Sequence, residues 1–440
     1  MQRWQEAELD AWLGANRRKP LVIRGARQVG KSTLVRQFAS RRNLVLFEVN
    51  LERQTHLRGP LEKLNPEDVV REIEFLCRKG RMKDHNALLF LDEIQGVPRA
   101  LECLRYFFED MPELPVIAAG SLLEFTLANH RFPMPVGRIE YMHIGPVTFE
   151  EYLREKGEPQ LCELLHTYEL EEAFPQSAHL RLLGILREYL LVGGMPEAAQ
   201  LFLETGDFRR VFEIQEAIWQ TYRDDFSKYA SGGDLVRLQR VVDYMPRGVG
   251  SKVKYVNIDR ESYAKDVRQA IDLLAKAGVV EKVFKLYGVD IGLLMRASGI
   301  EHLSEEQMMN VRFTNEGKLT EQFIAQHLFF SENPRLKPEL HYWLREGGTG
   351  NAEVNFQLAV AGRVIPVEVK SGKSGSLKSM LQYSLDKGCD LSGRFDLNPP
   401  SVQAVCHKIG DREVAFELVS LPLYLCGQFR RLFASRTQLH

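Results

Sequence analysis

Short apolar runs alternate along the first third of the chain with stretches in which apolar residues return every three or four positions. Leu21–Ile23, Leu44–Leu51, Ala87–Leu91, Val116–Ala119 and Arg138–Ile144 read as strands. Residues 4–14, 33–38 and 66–79 read as helices between or before them. Strands alternating with helices predict an α/β fold with a parallel sheet buried on both faces. From 150 to 230 the pattern is helical, broken by a turn at Gly193-Gly194-Met195-Pro196. Trp219, Tyr222, Phe226 and Tyr229 share one helical face there and read as a domain-joining core.

From 234 the pattern changes again. A helix at 234–245 gives way to a basic loop, Pro246–Lys254. A helix spaced by Val267, Ile271 and Leu274 then stops at Gly278, before a strand at Val279–Phe284. This order predicts a winged helix, in which Arg247, Lys252, Lys254 and Arg268 face either phosphates or a protein partner. A helix at 313–330, strands at His341–Leu344, Ala352–Leu358 and Val364–Lys370, and alternation over 402–426 predict a mixed C-terminal α/β domain. The expected partition is 1–150, 151–230, 231–300 and 301–440.

Composition narrows the classes without choosing among them. The 440 residues are 44% hydrophobic and 27% charged, as in a soluble globular protein. A formal net charge of −1 excludes bulk polycation behaviour, so nucleic-acid contact has to come from local patches. The six cysteines are scattered without metal-binding or disulfide spacing, and no apolar run reaches membrane-spanning length. A cytoplasmic protein without a membrane partner is expected.

The chemistry is concentrated where the first strand ends. Gly25, Ala26, Arg27, Gln28, Val29, Gly30, Lys31 and Ser32, followed by Thr33, form a complete phosphate-binding P-loop between a strand and a helix. Its glycines let several backbone N–H groups point at one anion, at the positive end of a helix. Lys31 is expected to reach the β- and γ-phosphates of ATP, and Ser32 to ligate Mg²⁺. The buried strand 87–91 ends in Asp92 and Glu93, expected to hold Mg²⁺ and to polarise the attacking water, respectively. Ser121, after the next strand, suits either a γ-phosphate sensor or a helix N-cap. Arg138, and less so Arg131, is placed to reach a phosphate in cis or in trans.

Gly-Ala-Arg-Gln-Val-Gly-Lys-Ser, Leu-Asp-Glu-Ile-Gln at 91–95, Ala-Gly-Ser at 119–121, Gly-Arg at 137–138 and Gly-Pro-Val-Thr-Phe-Glu-Glu-Tyr at 145–152 resemble the AAA-type ATPases of bacteria and archaea. Within these, the chain looks like the subgroup fused to a C-terminal domain of unknown function, with Leu191–Ala198 continuing the likeness. The resemblance implies a P-loop NTPase sheet of the five-stranded AAA/ASCE type, and sites shared with a neighbouring copy in a homo-oligomer. The C-terminal strands resemble a metal-dependent nuclease core with the motif Asp…Glu-x-Lys. Residues two apart in a strand share a face, which pairs Glu353 with Asn355 and Glu368 with Lys370, while Glu321 matches the helical Glu. Asn355 stands where that pattern has Asp and removes a charge from a hard-cation site, so weak or absent nuclease activity is expected. Lys370, Lys373 and Lys378 favour an anionic partner such as DNA. The leading expectation is an ATP-driven switch. The alternative is an ATP-regulated DNA nuclease; a P-loop kinase is disfavoured by Glu93, which would waste ATP on water.

Overall fold

The computed structural model describes residues 1–121, 123, 137–228, 230–282, 285–310, 316–330, 333–346, 352–372, 376–409 and 411–437. Arg131, Tyr229 and Lys373 lie outside them, as does the turn at 347–350.

Five parallel strands, β1 (Leu21–Arg24), β2 (Val45–Asn50), β3 (Ala87–Asp92), β4 (Val116–Gly120) and β5 (Glu140–His143), form one sheet in the order β2-β3-β4-β1-β5. The centre of this sheet is buried on both faces, and the two-residue strand period separates the faces. Leu88 and Phe90 of β3 enter one core with Phe38 and Ile117, while Leu89 and Leu91 enter a second with Ile73, Leu104 and Ala118. That is why β3 reads as an unbroken apolar run.

The helices Phe149–Glu155, Pro159–Thr167, Gln176–Val192, Pro196–Thr205 and Phe208–Phe226 follow. Three more, Gly233–Gly248, Tyr255–Ile258 and Ala264–Lys276, lead into the hairpin of β6 (Val280–Lys282) and β7 (Leu286–Gly288). Lys252 bridges Lys285 beside that hairpin. One expectation needs correction here: Pro246 and Arg247 lie in the last turn of helix Gly233–Gly248, not in a loop. The helix ends at Gly248, so the ring of Pro246 removes only one hydrogen bond close to the terminus.

The second sheet is mixed, with six strands in the order β12-β13-β11-β10-β9-β8. They are β8 (His341–Arg345), β9 (Ala352–Val360), β10 (Arg363–Val369), β11 (Leu391–Asp396), β12 (Ser401–Ile409) and β13 (Arg412–Pro422). Helix Lys378–Lys387 packs Met380 and Tyr383 against Val354, Phe416 and Leu418. Helix Glu316–Phe330 joins Phe323 and Ile324 to the large core that also holds Phe356 and Val367. No helix among the described residues is long and apolar enough to cross a membrane.

Candidate functional site

The loop from Gly25 to Gly30 turns β1 into helix Lys31–Arg41, and two glycines make the turn sterically feasible. Gly30 takes a left-handed conformation, φ 91°, at the helix N-cap. A Cβ on Gly25 would lie 2.2 Å from the Ile144 carbonyl oxygen. Lys31 is buried, and its ammonium donates to the carbonyls of Gly25 (3.0 Å) and Ala26 (2.7 Å). Burial lowers its pKa to about 8, although Glu93 and Asp92 pull the other way.

Parallel strands deliver the remaining groups from their C-terminal ends. The Ser32 hydroxyl donates to Asp92 Oδ2 at 2.7 Å, and the Glu93 N–H donates to Asp92 Oδ1 at 3.0 Å. Burial raises the Asp92 pKa, partly offset by the Ser32 bond. Glu93 sits in a left-handed backbone conformation, φ 50°, and its Oε2 accepts from Gln95 Nε2 (2.5 Å) and Ser121 Oγ (3.5 Å). A cavity of about 540 Å³ is lined by Lys31, Ser32, Thr33, Glu93 and Ser121 together with Pro196 and Gln200. A hydroxyl and a carboxylate this close are hard oxygen donors that suit Mg²⁺.

Arg138 is not brought to this cavity. It precedes β5, and β5 runs parallel to β1 with Leu21 opposite Glu140 and Arg24 opposite His143. Arg138 therefore lies at the strand-start edge, about 13 Å or more along the strands from the loop. There it pairs with Glu109 at 2.9 Å. The expectation that it serves the site of its own chain is corrected, because the direction of β5 carries it away.

Several groups that hold the loop went unread in the sequence. The buried Arg3 guanidinium donates to the carbonyls of Val29 (3.0 Å) and Gly145 (2.8 Å) and pairs with Glu151 (3.1 Å). From helix Phe208–Phe226, the Tyr222 hydroxyl donates to the Arg27 carbonyl at 2.9 Å, and Asp225 pairs with the Arg27 side chain. Gln95, the last residue of Leu-Asp-Glu-Ile-Gln, is a further such group: its offset of two from Glu93 is the sequence signal for the bond to that carboxylate.

The C-terminal candidates do meet. Asn355 Nδ2 donates to Glu321 Oε2 at 2.8 Å, while Asn355 Oδ1 accepts the Val369 N–H at 2.9 Å. Lys370 pairs with Glu368 at 2.5 Å. The unforeseen member is Lys285, whose ammonium lies 2.7 Å from Glu321 Oε1 and 2.5 Å from Glu353 Oε1. Tyr287 also donates to Glu321 Oε1, at 2.6 Å. Burial works against the Lys285 charge, but Glu321 and Glu353 outweigh it and hold its pKa above the ordinary value. Among the described residues, no group of three or more His, Cys, Asp or Glu is placed to hold a metal ion.

Comparison with known proteins finds matches to three separate stretches of the chain. Residues 17–153 match the AAA domain family, and residues 183–287 and 316–417 match two domains of unknown function, DUF8612 and DUF4143. No curated protein matches the chain. Among solved structures, a Walker-type ATPase of Pyrococcus abyssi is similar at 17% identity, over 68% of this chain and 95% of that one, with a TM-score of 0.45. The ORC2 protein of Aeropyrum pernix is similar at 12% identity, over 68% and 94%, with a TM-score of 0.37. The RuvB Holliday junction branch migration motor of Thermotoga maritima is similar at 14% identity, over 63% and 88%, with a TM-score of 0.32. The family match to residues 17–153, the strand order and the loop after β1 agree: the amino-terminal part of the chain has the fold of an AAA-type P-loop ATPase domain.

Proposed function

We propose that the chain is a switch driven by the binding and hydrolysis of Mg-ATP. The observation that carries this reading is the convergence of Lys31, Ser32, Glu93 and Ser121 on one cavity at the C-terminal ends of β1, β3 and β4, with Asp92 hydrogen-bonded to Ser32 beside it. In it, the loop N–H groups and the Lys31 ammonium bind the β- and γ-phosphates. Ser32 and Asp92 would hold Mg²⁺, which when bound supplies positive charge against the phosphate oxygens. Glu93 orients the attacking water and takes up its proton, with Gln95 and Ser121 fixing the carboxylate. Tyr222 and Asp225 grip Arg27, so a P-loop that adjusts around a triphosphate pulls on helix Phe208–Phe226 and on the segments beyond it.

Calorimetric titration of Mg-ATP tests the binding step, with Lys31→Ala expected to show no heat. Glu93→Gln should still bind while turning over far more slowly. Equal loss of binding in both variants would refute the role given to Glu93.

The C-terminal cluster is read as a clamp that does not cut nucleic acid. Asn355 engages its amide with Glu321 and Val369, while Lys285 neutralises the helical Glu321 together with Glu353 and Lys370 neutralises Glu368. DNA incubated with Mg²⁺ and either the wild type or Asn355→Asp should remain intact. Cleavage by the wild type would overturn the clamp and favour the nuclease alternative.

A further inference from the structure

The segment from Gly233 to Gly288 presents three helices, then a hairpin, with Lys252 supplying a third strand position. Its 13-residue helix Ala264–Lys276 buries Val267, Ala270, Ile271 and Leu274. The opposite face, at the matching helical spacing, holds Lys265, Arg268, Gln269, Asp272 and Lys276. We infer that this face docks in the major groove of duplex DNA.

Charge on the surface argues for a polyanion. Lys254, Arg260, Lys265 and Arg268 are exposed, and none of them forms an ion pair among the described residues. The four acidic residues between 255 and 276 are already engaged: Asp259 and Glu261 with Arg240, Asp266 with Arg237, and Asp272 with Lys282. The cations around the start of the helix are therefore in local excess, although the whole chain is nearly neutral. Two of the four basic residues anticipated from sequence do not belong to this face. Lys252 is paired with Glu346, and Arg247 lies on helix Gly233–Gly248.

Shape distinguishes DNA from other polyanions. An α-helix with its side chains is about 10–12 Å across, matching the roughly 12 Å major groove of B-DNA. The deep, narrow major groove of duplex RNA does not admit it. Tyr263, 77% exposed at the helix start with the Lys265 ammonium 5.8 Å from its ring centroid, adds a flat contact beside the backbone. Gln269 is the amide positioned to read base edges.

The DNA assignment stands apart from the nucleotide reading, whereas any response of DNA affinity to nucleotide rests on it. Arg27 is held by helix Phe208–Phe226, and Ala26 lies against Gly278, just past the docking helix. The test uses the full chain and fluorescence anisotropy with a short mixed-sequence DNA duplex, without nucleotide, across a salt series. The Lys265→Ala/Arg268→Ala variant should bind about tenfold or more weakly, and its log–log salt slope should flatten by about 2. An unchanged melting temperature and circular dichroism spectrum would show that the fold survives. Undetectable binding by the wild type, equal binding by the variant, or equal affinity for duplex RNA would each overturn the assignment. A repeat with Mg-ATP separates the two claims, because DNA affinity that ignores nucleotide leaves the surface standing and removes the switch.

Discussion

Lys285→Met removes the ammonium that Glu321 and Glu353 share without removing its bulk. Lys285 and Glu321 have side-chain exposures of 9% and 8%, so little water screens their contact. Glu353 is 34% exposed, and its share has to be discounted accordingly. Removing one partner of a buried pair costs about 3–5 kcal/mol, mostly because the other charge is stranded. Here the lower end applies, about 3 kcal/mol, because Glu321 keeps hydrogen bonds from Tyr287 and Asn355. The loss also has a pH sign. Burial already lifts the Glu321 pKa, and without Lys285 less opposes that lift. A carboxylate with a raised folded pKa weakens the fold as pH rises from its unfolded to its folded value, so the deficit should shrink in acid. Native-state hydrogen exchange of the β9 and β10 amides is the suitable assay, since a chain with two sheets need not unfold in one step. Adding Glu321→Gln should restore part of the loss, with a coupling of about 2 kcal/mol in the double-mutant cycle. Wild-type exchange rates in Lys285→Met at neutral pH, or strict additivity in the cycle, would refute the clamp.

The nucleotide site yields further expectations. Glu93→Gln should cut turnover by about 10²–10⁴-fold at nearly unchanged Mg-ATP affinity, measured by phosphate release alongside calorimetry. Gln95→Ala should lower kcat with little change in affinity, because its amide nitrogen donates to the carboxylates of Glu93 and Glu52; a purely structural Gln95 would instead lower the melting temperature. With Lys31 near pKa 8, its ammonium is the form that binds phosphate, so Mg-ATP affinity should fall as pH rises through about 8. Titration in buffers of different ionisation enthalpy should then register proton uptake above that pH. Gly25→Ala should abolish nucleotide binding and lower the melting temperature, since the added methyl overlaps the Ile144 carbonyl.

What the sequence made legible shares one property: its causes are local. The P-loop is eight contiguous residues whose glycines, lysine and serine act through the backbone they sit on, and Asp92-Glu93 ends a strand whose burial shows as an unbroken apolar run. Strand direction was only half legible. β5 could be read from its residues, yet that Arg138 lies at the wrong end follows only from its parallel pairing with β1. The groups that went unread act across long separations. Arg3 meets Val29 and Gly145, Tyr222 meets Arg27, and Lys285 meets Glu321 and Glu353, and such a pairing leaves no period behind. The C-terminal site shows the consequence most clearly. Within its own strands, Asn355 looked like the decisive departure from a nuclease, because it is one charge short in a motif of three positions. In the folded chain Asn355 is a consistent part of the clamp, accepting from Val369 and donating to Glu321. The departure with the larger electrostatic consequence is Lys285, on a hairpin outside those strands, where its ammonium supplies the positive charge that the carboxylates would otherwise take from an ion. Asp at 355 would therefore add a fourth carboxylate, after Glu321, Glu353 and Glu368, to a centre whose shared cation is already covalently part of the chain, and a metal would have to displace that lysine before any catalysis could begin.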